Sequence, residues 1–375
     1  MAGIYIHIPF CRSKCNYCNF FSVVSQKKIS EVLISIEKEL ALKRDCISEY
    51  QIDTIYFGGG TPSLIPVRWI AQLLAVVKNH YRLAVSPEIT IEANPDDISK
   101  PVLDDWQGAG ITRISLGVQS FDDRDLRYLN RLHDSKQALK AVEAISSSSF
   151  DSFSVDLVFG IPGANMNIWK HNLSLLTGMG VPHISAYGLT VEEKTPLYHF
   201  IQKNKMKAPN EEDMVRQFEQ TMLLLQHAGY DHYEISNYAK PGHYSKHNTA
   251  YWTSVPYMGF GPSAHSFFHQ TRGWNASSIH TYLEDIAHGN LFSAAEKLSL
   301  SDRYNEYILT GLRTSWGIDL SYIEKTFGMS YFEKCLNSIA SMHDTGWICQ
   351  SDNILTLTKK GKLVADYIIM KLFEL

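Results

Sequence analysis

The chain has no excess of positive charge. Its 35 Lys and Arg residues are outnumbered by 39 Asp and Glu, a formal net charge of -4, so it carries no electrostatic footprint for nucleic acid. No apolar run reaches the length of a membrane span, and no secretory hydrophobic segment opens the chain. The expectation is a cytoplasmic protein with reduced thiols, no nucleic-acid partner and no transmembrane segment. Low-complexity tracts and long linkers are missing too. Cysteine is scarce, six in 375 residues, and a chain of this length needs no disulfide staples. What remains is 45% hydrophobic and 20% charged, ordinary for a globular chain with one large α/β domain and a smaller appendage.

The few cysteines are unevenly spread. Cys11, Cys15 and Cys18 fall within eight residues, whereas Cys46, Cys335 and Cys349 are scattered and read as packing residues. Intervals of three and two residues let one short loop wrap three thiolates around a soft metal centre. Zinc with His7 as fourth donor satisfies a tetrahedral site. A [4Fe-4S] cluster held by three cysteines would instead leave one iron open to a small molecule.

Six strand-like runs follow one another: Ile4–Pro9, Asp53–Phe57, Glu88–Ala93, Arg113–Val118, Ser152–Phe159 and His183–Leu189. Helical spacing appears between them at 29–43, 69–77, 136–145 and 169–176, and again at 214–228. Such alternation predicts parallel strands joined by right-handed crossovers, and six units predict an open, partial (β/α)6 barrel. Reactive groups in such folds gather at the C-terminal ends of the strands, and the unusual residues sit there. The three cysteines follow the first strand, and Gly58-Gly59-Gly60-Thr61-Pro62 follows the second. The third ends in Glu92-Ala-Asn94-Pro95, the fourth in Gly117-Val-Gln119, with Asn130-Arg131 beyond it. The fifth carries Asp156 in an apolar run. A carboxylate on a buried strand is costly unless paired or bonded to a ligand; for Glu92 a salt bridge or a helix cap is the structural alternative. Arg131 is either a solvated helix charge or a two-pronged carboxylate clamp.

Cys-x3-Cys-x2-Cys with Tyr17 between the last two cysteines resembles the radical S-adenosylmethionine (SAM) superfamily. Tyr5, His-Ile-Pro-Phe-Cys11, Gly59-Gly60-Thr61-Pro62, Glu92, Gln119, Asn130-Arg131 and Asp156 together resemble the oxygen-independent coproporphyrinogen III oxidases and their relatives. The resemblance implies a [4Fe-4S] cluster on Cys11, Cys15 and Cys18. It also implies a SAM pocket lined by Tyr5, Gly59, Gly60, Thr61, Glu92, Gln119, Arg131 and Asp156. It covers most of residues 1–265.

Residues 231–297 read as a loop-rich, aromatic extension to the barrel of 1–230. They contain His247-Asn248-Thr-Ala-Tyr251-Trp252 and Gly259-Phe-Gly-Pro-Ser-Ala-His265. A histidine among aromatics is commonly a packing residue, yet imidazole is also a haem ligand and flat rings suit a porphyrin. The His-Asn-x-x-Tyr-Trp run resembles the haem chaperones of this subfamily, which implies His247 as haem ligand, with His265 the next candidate. Residues 298–375 read as helices, a hairpin across Ser351-Asp352-Asn353 and a last helix, a winged-helix-like C-terminal domain. Phe20 stands where the oxidases of the family carry a further cysteine, and only four residues precede Tyr5 where they have a long extension. The resemblance therefore favours a haem chaperone over an oxidase. It implies haem and haem-acceptor proteins as partners, membrane-bound respiratory enzymes among the candidates, with peripheral membrane association, and a homodimer as one assembly. The resemblance implies about four iron and four sulfide per chain after anaerobic purification, and loss of the iron absorbance in Cys15→Ala. A zinc-loaded, iron-free product would contradict it.

Overall fold

The computed structural model describes residues 1–374. Six strands, β1 (Ala2–Ile8), β2 (Ile52–Gly59), β3 (Leu83–Ala93), β4 (Arg113–Gln119), β5 (Ser152–Phe159) and β6 (His183–Gly188), lie side by side in chain order and run parallel. All six expected strands are present, with ends shifted by a few residues. Their two faces differ in chemistry. Ile4, Ile6, Ile8, Ile55, Phe57, Ile89, Ile91, Ile114, Leu116, Val118, Val155, Leu157 and Ile184 are buried in one continuous core. That core packs under helices such as Ile29–Leu42, Val67–His80 and Ser135–Ser146. Residues of the opposite parity, among them Tyr5, Tyr56, Glu92, Ser115, Asp156 and Ser185, turn to a concave inner face.

Helix Lys100–Ala109 was not among the expected elements. Only Leu103 and Trp106 of it are buried, too few to set a period, and Pro101 and Gly108 mask it further. Residues 231–297 likewise supply more regular structure than their loop-like composition suggests. The strands β7 (Asp231–His232), β8 (Asn237–Ala239), β9 (Tyr257–Phe260), β10 (His265–Phe268), β11 (Thr271–Trp274) and β12 (Ala294–Lys297) are two to four residues long, too short for alternation to show. β8 pairs antiparallel with β6, with β7 outside it, and β9 pairs parallel with β1, followed by β10, β11 and β12. The twelve strands form one open sheet and do not close into a barrel.

Beyond it, helices Leu300–Leu312, Leu320–Phe327, Met329–Ala340 and Ala365–Leu372 enclose a second core with a three-stranded antiparallel sheet. Its hairpin joins Ile348–Ser351 to Ile354–Leu357, as the turn residues predict. Among the described residues no helix is long and apolar enough to cross a membrane.

The added edge strands are tied to the helix layer of the parallel sheet by a buried ion pair. Lys43 and Glu39, both fully buried, meet at 2.5 Å. Glu39 also accepts from the Gly261 amide at 2.8 Å, the Tyr282 hydroxyl at 2.8 Å and Asn275 Nδ2 at 2.7 Å. Every lone pair is occupied, so removing one partner strands a buried charge. Lys43→Met should lower unfolding free energy by about 3 kcal/mol in denaturant titration, with Glu39→Leu/Lys43→Met recovering part of it. A single-variant cost below about 1 kcal/mol, the level of a surface pair, would contradict the role given to this network.

Candidate functional site

Between β1 and its helix the chain makes a loop that is pinched at its base. The Cys11 amide donates to the Val23 carbonyl at 3.0 Å and the Val23 amide to the Pro9 carbonyl at 2.8 Å. The far side is fastened as well. Asn16 donates through its amide to Leu129 at 3.1 Å and through Nδ2 to the Tyr128 carbonyl at 2.8 Å, and Asn130 Nδ2 reaches the Lys14 carbonyl at 2.9 Å. Arg12 pairs with Asp96 and Asp97. Cys11, Cys15 and Cys18 are thus carried on a loop whose backbone is fixed by the protein itself. All three are free thiols, Cys11 buried and the others half-buried. Burial pushes the Cys18 thiol up to about 11 and raises Cys11 too, so metal loading releases protons.

The thiols open onto a cavity of about 700 Å³, within the range of small-molecule sites. Tyr5, Gly59, Gly60, Thr61, Glu92, Gln119, Arg131 and Asp156 all line it together with the three cysteines. The second strand reaches the site through two glycines. Gly59 has φ +109°, and a Cβ there would meet the His7 ring at 2.5 Å; one on Gly60 would meet the Phe10 carbonyl at 2.7 Å. Glu92 accepts from the Tyr56 hydroxyl at 2.9 Å and the Gly59 amide at 3.1 Å. Burial, with Asp156 adding to it and Tyr56 partly offsetting it, pushes Glu92 up to about 7. A β4 bulge between Gly117 and Gln119 puts Gln119 at φ +73° and brings it to the cavity wall.

Arg131 is no solvated helix charge. Its guanidinium donates to Cys15 Sγ at 3.3 Å, Asn94 Oδ1 at 2.5 Å and the Gly117 carbonyl at 2.6 Å, and its Nε has no protein partner. Asp156 accepts from Ser115 at 3.2 Å, burial raises its pKa, and its Oδ1 is likewise without a partner. Two buried polar atoms at one cavity await a ligand or water.

Three histidines stand differently. Both ring nitrogens of His7 are engaged, Nδ1 with the Tyr5 hydroxyl at 3.1 Å and Nε2 with the Phe21 carbonyl at 2.9 Å. Zinc completed by His7 does not fit, and no group of three metal donors compact enough for a single ion occurs among the described residues. His247, on helix Lys246–Trp252, does not line the cavity. It is buried, Nδ1 on Thr54 Oγ1 at 2.7 Å and Nε2 on the Tyr251 hydroxyl at 2.9 Å, and it stacks on Tyr56 with centroids 5.0 Å apart. Burial pushes its pKa down to about 3. His265 is exposed on β10 against Trp274.

Sequence reasoning did not single out Tyr56, Ser115, Ser185 or Tyr187, all at the cavity. Their signal was parity: each lies an even number of residues from an inward-facing neighbour on its strand. Arg313, also at the wall, carried no such signal, because it arrives from the C-terminal unit.

A family model described as the radical SAM superfamily matches residues 5–176, and one for the HemN C-terminal domain matches residues 298–364. Heme chaperone HemW of Bacillus subtilis is 31% identical, covering 98% of this chain and 97% of that one. Heme chaperone HemW of Mycobacterium tuberculosis is 32% identical over 99% and 94%. The solved structure of coproporphyrinogen III oxidase (HemN) from Escherichia coli, a radical SAM enzyme, superposes with a TM-score of 0.86 at 22% identity, over 99% of this chain and 90% of that one, which shows the fold.

A carboxyl group whose pKa is raised on folding stabilises the protein below its unfolded value of 4.5 and loses that contribution as pH climbs through about 7. Relative to wild type, Glu92→Gln should therefore gain stability between pH 4.5 and 7, by up to about 3 kcal/mol. A flat difference across that window in ligand-free protein would contradict the environment described for Glu92.

Proposed function

The chain belongs to the radical SAM superfamily, in the family of the heme chaperones it resembles over nearly its full length, and on that basis we propose that it is itself a haem chaperone. The observation that carries the reading is the meeting of Cys11, Cys15 and Cys18 with Glu92, Gln119, Arg131 and Asp156 at one cavity. Three thiols fit three corners of a [4Fe-4S] cluster, and the glycine cradle and the orphaned Arg131 Nε and Asp156 Oδ1 fit a polar cofactor beside it. When bound, such a cluster supplies one-electron chemistry and an open iron for the amine and carboxylate of SAM.

The chain's own residues do the holding. Gly59 and Gly60 present bare backbone to the cavity at positions where a side chain would collide with His7 or the Phe10 carbonyl, and Thr61 adjoins them at the wall. Glu92, close to its pKa at neutral pH, offers a carboxylate that a ligand ammonium would keep ionised. Arg131 offers a guanidinium already oriented by Asn94 and Gly117. Tyr5, Gln119 and Asp156 complete the wall.

Haem is the cargo, with His247 its iron ligand. The low pKa of His247 keeps the imidazole neutral, the ligating form. To reach iron, Nε2 exchanges the Tyr251 hydroxyl. Delivery goes to haem-requiring acceptors, membrane-bound respiratory enzymes among them, from a cytoplasmic protein that is peripheral to the membrane during transfer.

Hemin should give a Soret band that His247→Ala weakens at least tenfold in affinity, about 1.4 kcal/mol, and that Tyr251→Phe leaves as strong or stronger. An unchanged band in His247→Ala moves the ligand elsewhere. Coproporphyrinogen III supplied with SAM and a reductant, without oxygen, should stay unconverted; formation of protoporphyrinogen overturns the carrier reading.

A further inference from the structure

His247 lies behind the cavity wall, and one residue stands between it and the cavity carboxylate. The Tyr56 hydroxyl donates to Glu92 Oε1 at 2.9 Å. The Tyr56 ring stacks on His247 with centroids 5.0 Å apart and planes 22° from parallel. Tyr5 closes the group, its ring 6.1 Å from that of Tyr56 and 6.5 Å from that of His247. The packing leaves no slack. A Cβ on Gly58 would meet Tyr5 Cε2 and Tyr56 Cε1 at 2.9 Å and Glu92 Oε1 at 3.0 Å. One on Gly3 would meet Thr54 Oγ1 at 2.9 Å and His247 Cε1 at 3.3 Å. Two stretches of bare backbone thus let the carboxylate, both phenols and the imidazole pack as one block.

The block has a single polar link to the cavity ligand site. Of the groups that touch His247, Thr54 and Tyr251 do not reach the cavity, whereas Tyr5 and Tyr56 do. The Tyr5 hydroxyl is spent on His7 Nδ1 at 3.1 Å. Only the Tyr56 hydroxyl bonds to Glu92. That bond depends on the charge of its acceptor. Burial brings Glu92 to about 7, so in the empty cavity near neutral pH it is partly protonated. A ligand ammonium would keep it ionised, and a hydrogen bond to an ionised acceptor is roughly twice as strong as a neutral one. Tyr56 is then held harder, and the imidazole stacked on it has less freedom to leave Tyr251.

We propose that Tyr56 is a positioning residue for the haem ligand: with an amino-acid ammonium on Glu92 it holds His247 in its packed place, so that occupancy of the cavity weakens haem binding. This rests on the cofactor and haem readings above. Cofactor and cargo then oppose one another without touching. By linkage the effect is the same in both directions, haem weakening the cofactor as much as the cofactor weakens haem.

The test titrates hemin into the cluster-loaded full chain with and without saturating SAM, following the Soret band by difference spectra. Wild type should bind hemin about fivefold more weakly with SAM present, an effect of about 1 kcal/mol. Tyr56→Phe keeps the stacked ring and has no hydroxyl for Glu92. It should bind hemin at least as tightly as SAM-free wild type, and SAM should no longer change its affinity. SAM should still shift the paramagnetic resonance spectrum of the reduced cluster in that variant, so that the cofactor is bound although its effect on hemin is gone. Three results each overturn the assignment and leave the carrier reading intact: hemin binding in wild type that SAM leaves equal or makes tighter, a SAM effect undiminished in Tyr56→Phe, or loss of the spectral shift in Tyr56→Phe. Absence of that shift in wild type overturns the cofactor reading, and hemin affinity unchanged in His247→Ala overturns the ligand reading; either takes this inference with it.

Discussion

Strand register is the constraint on which everything else in this molecule depends. In a parallel sheet covered by helices on one side, each strand must send one set of alternate residues into an apolar layer. Ile4, Ile6 and Ile8 do so in β1, Ile114, Leu116 and Val118 in β4. The remaining set is then free to be polar, and here it is: Tyr5, Tyr56, Glu92, Ser115, Asp156 and Ser185 all reach the inner face. A slip of one residue in β3 or β5 would bury Glu92 or Asp156 under a helix and lift an aliphatic residue into the cavity. The core therefore fixes the site, and the geometry of the cavity residues follows from the same alternation that stabilises the fold.

Much of this was open to reading in the linear chain because the signals were local and redundant. Three close cysteines, a glycine run and a carboxylate in an apolar strand each mark a strand end, and parallel connectivity brings strand ends together. Arg131 was ambiguous for a physical reason: nothing local distinguishes a helix-end arginine facing water from one aimed at Cys15 and Asn94. The short strands β7 to β12 were hidden because two to four residues cannot display a period. Arg313 was hidden because its place at the cavity depends on contacts between units 80 residues apart along the chain, Glu234 and Thr314.

His247 shows how a motif and its surroundings answer different questions. Its residue types point to haem, while the structure packs the ring between Thr54, Tyr251 and Tyr56, behind the tyrosine that donates to Glu92. A ring so enclosed is a satisfied core histidine, and the proposed ligand role requires it to give up the Tyr251 hydrogen bond. The same stack joins the two ends of the proposed function, since Tyr56 touches His247 on one side and the carboxylate at the cavity on the other.

Electron paramagnetic resonance of the reduced, reconstituted protein with and without SAM tests most directly whether the cysteine triad leaves an iron open. The proposed cluster on the three thiols predicts that added SAM shifts the spectrum, and that Glu92→Gln or Arg131→Lys weakens the shift without abolishing the cluster. A spectrum indifferent to SAM, with all four irons held by protein side chains, would contradict the account.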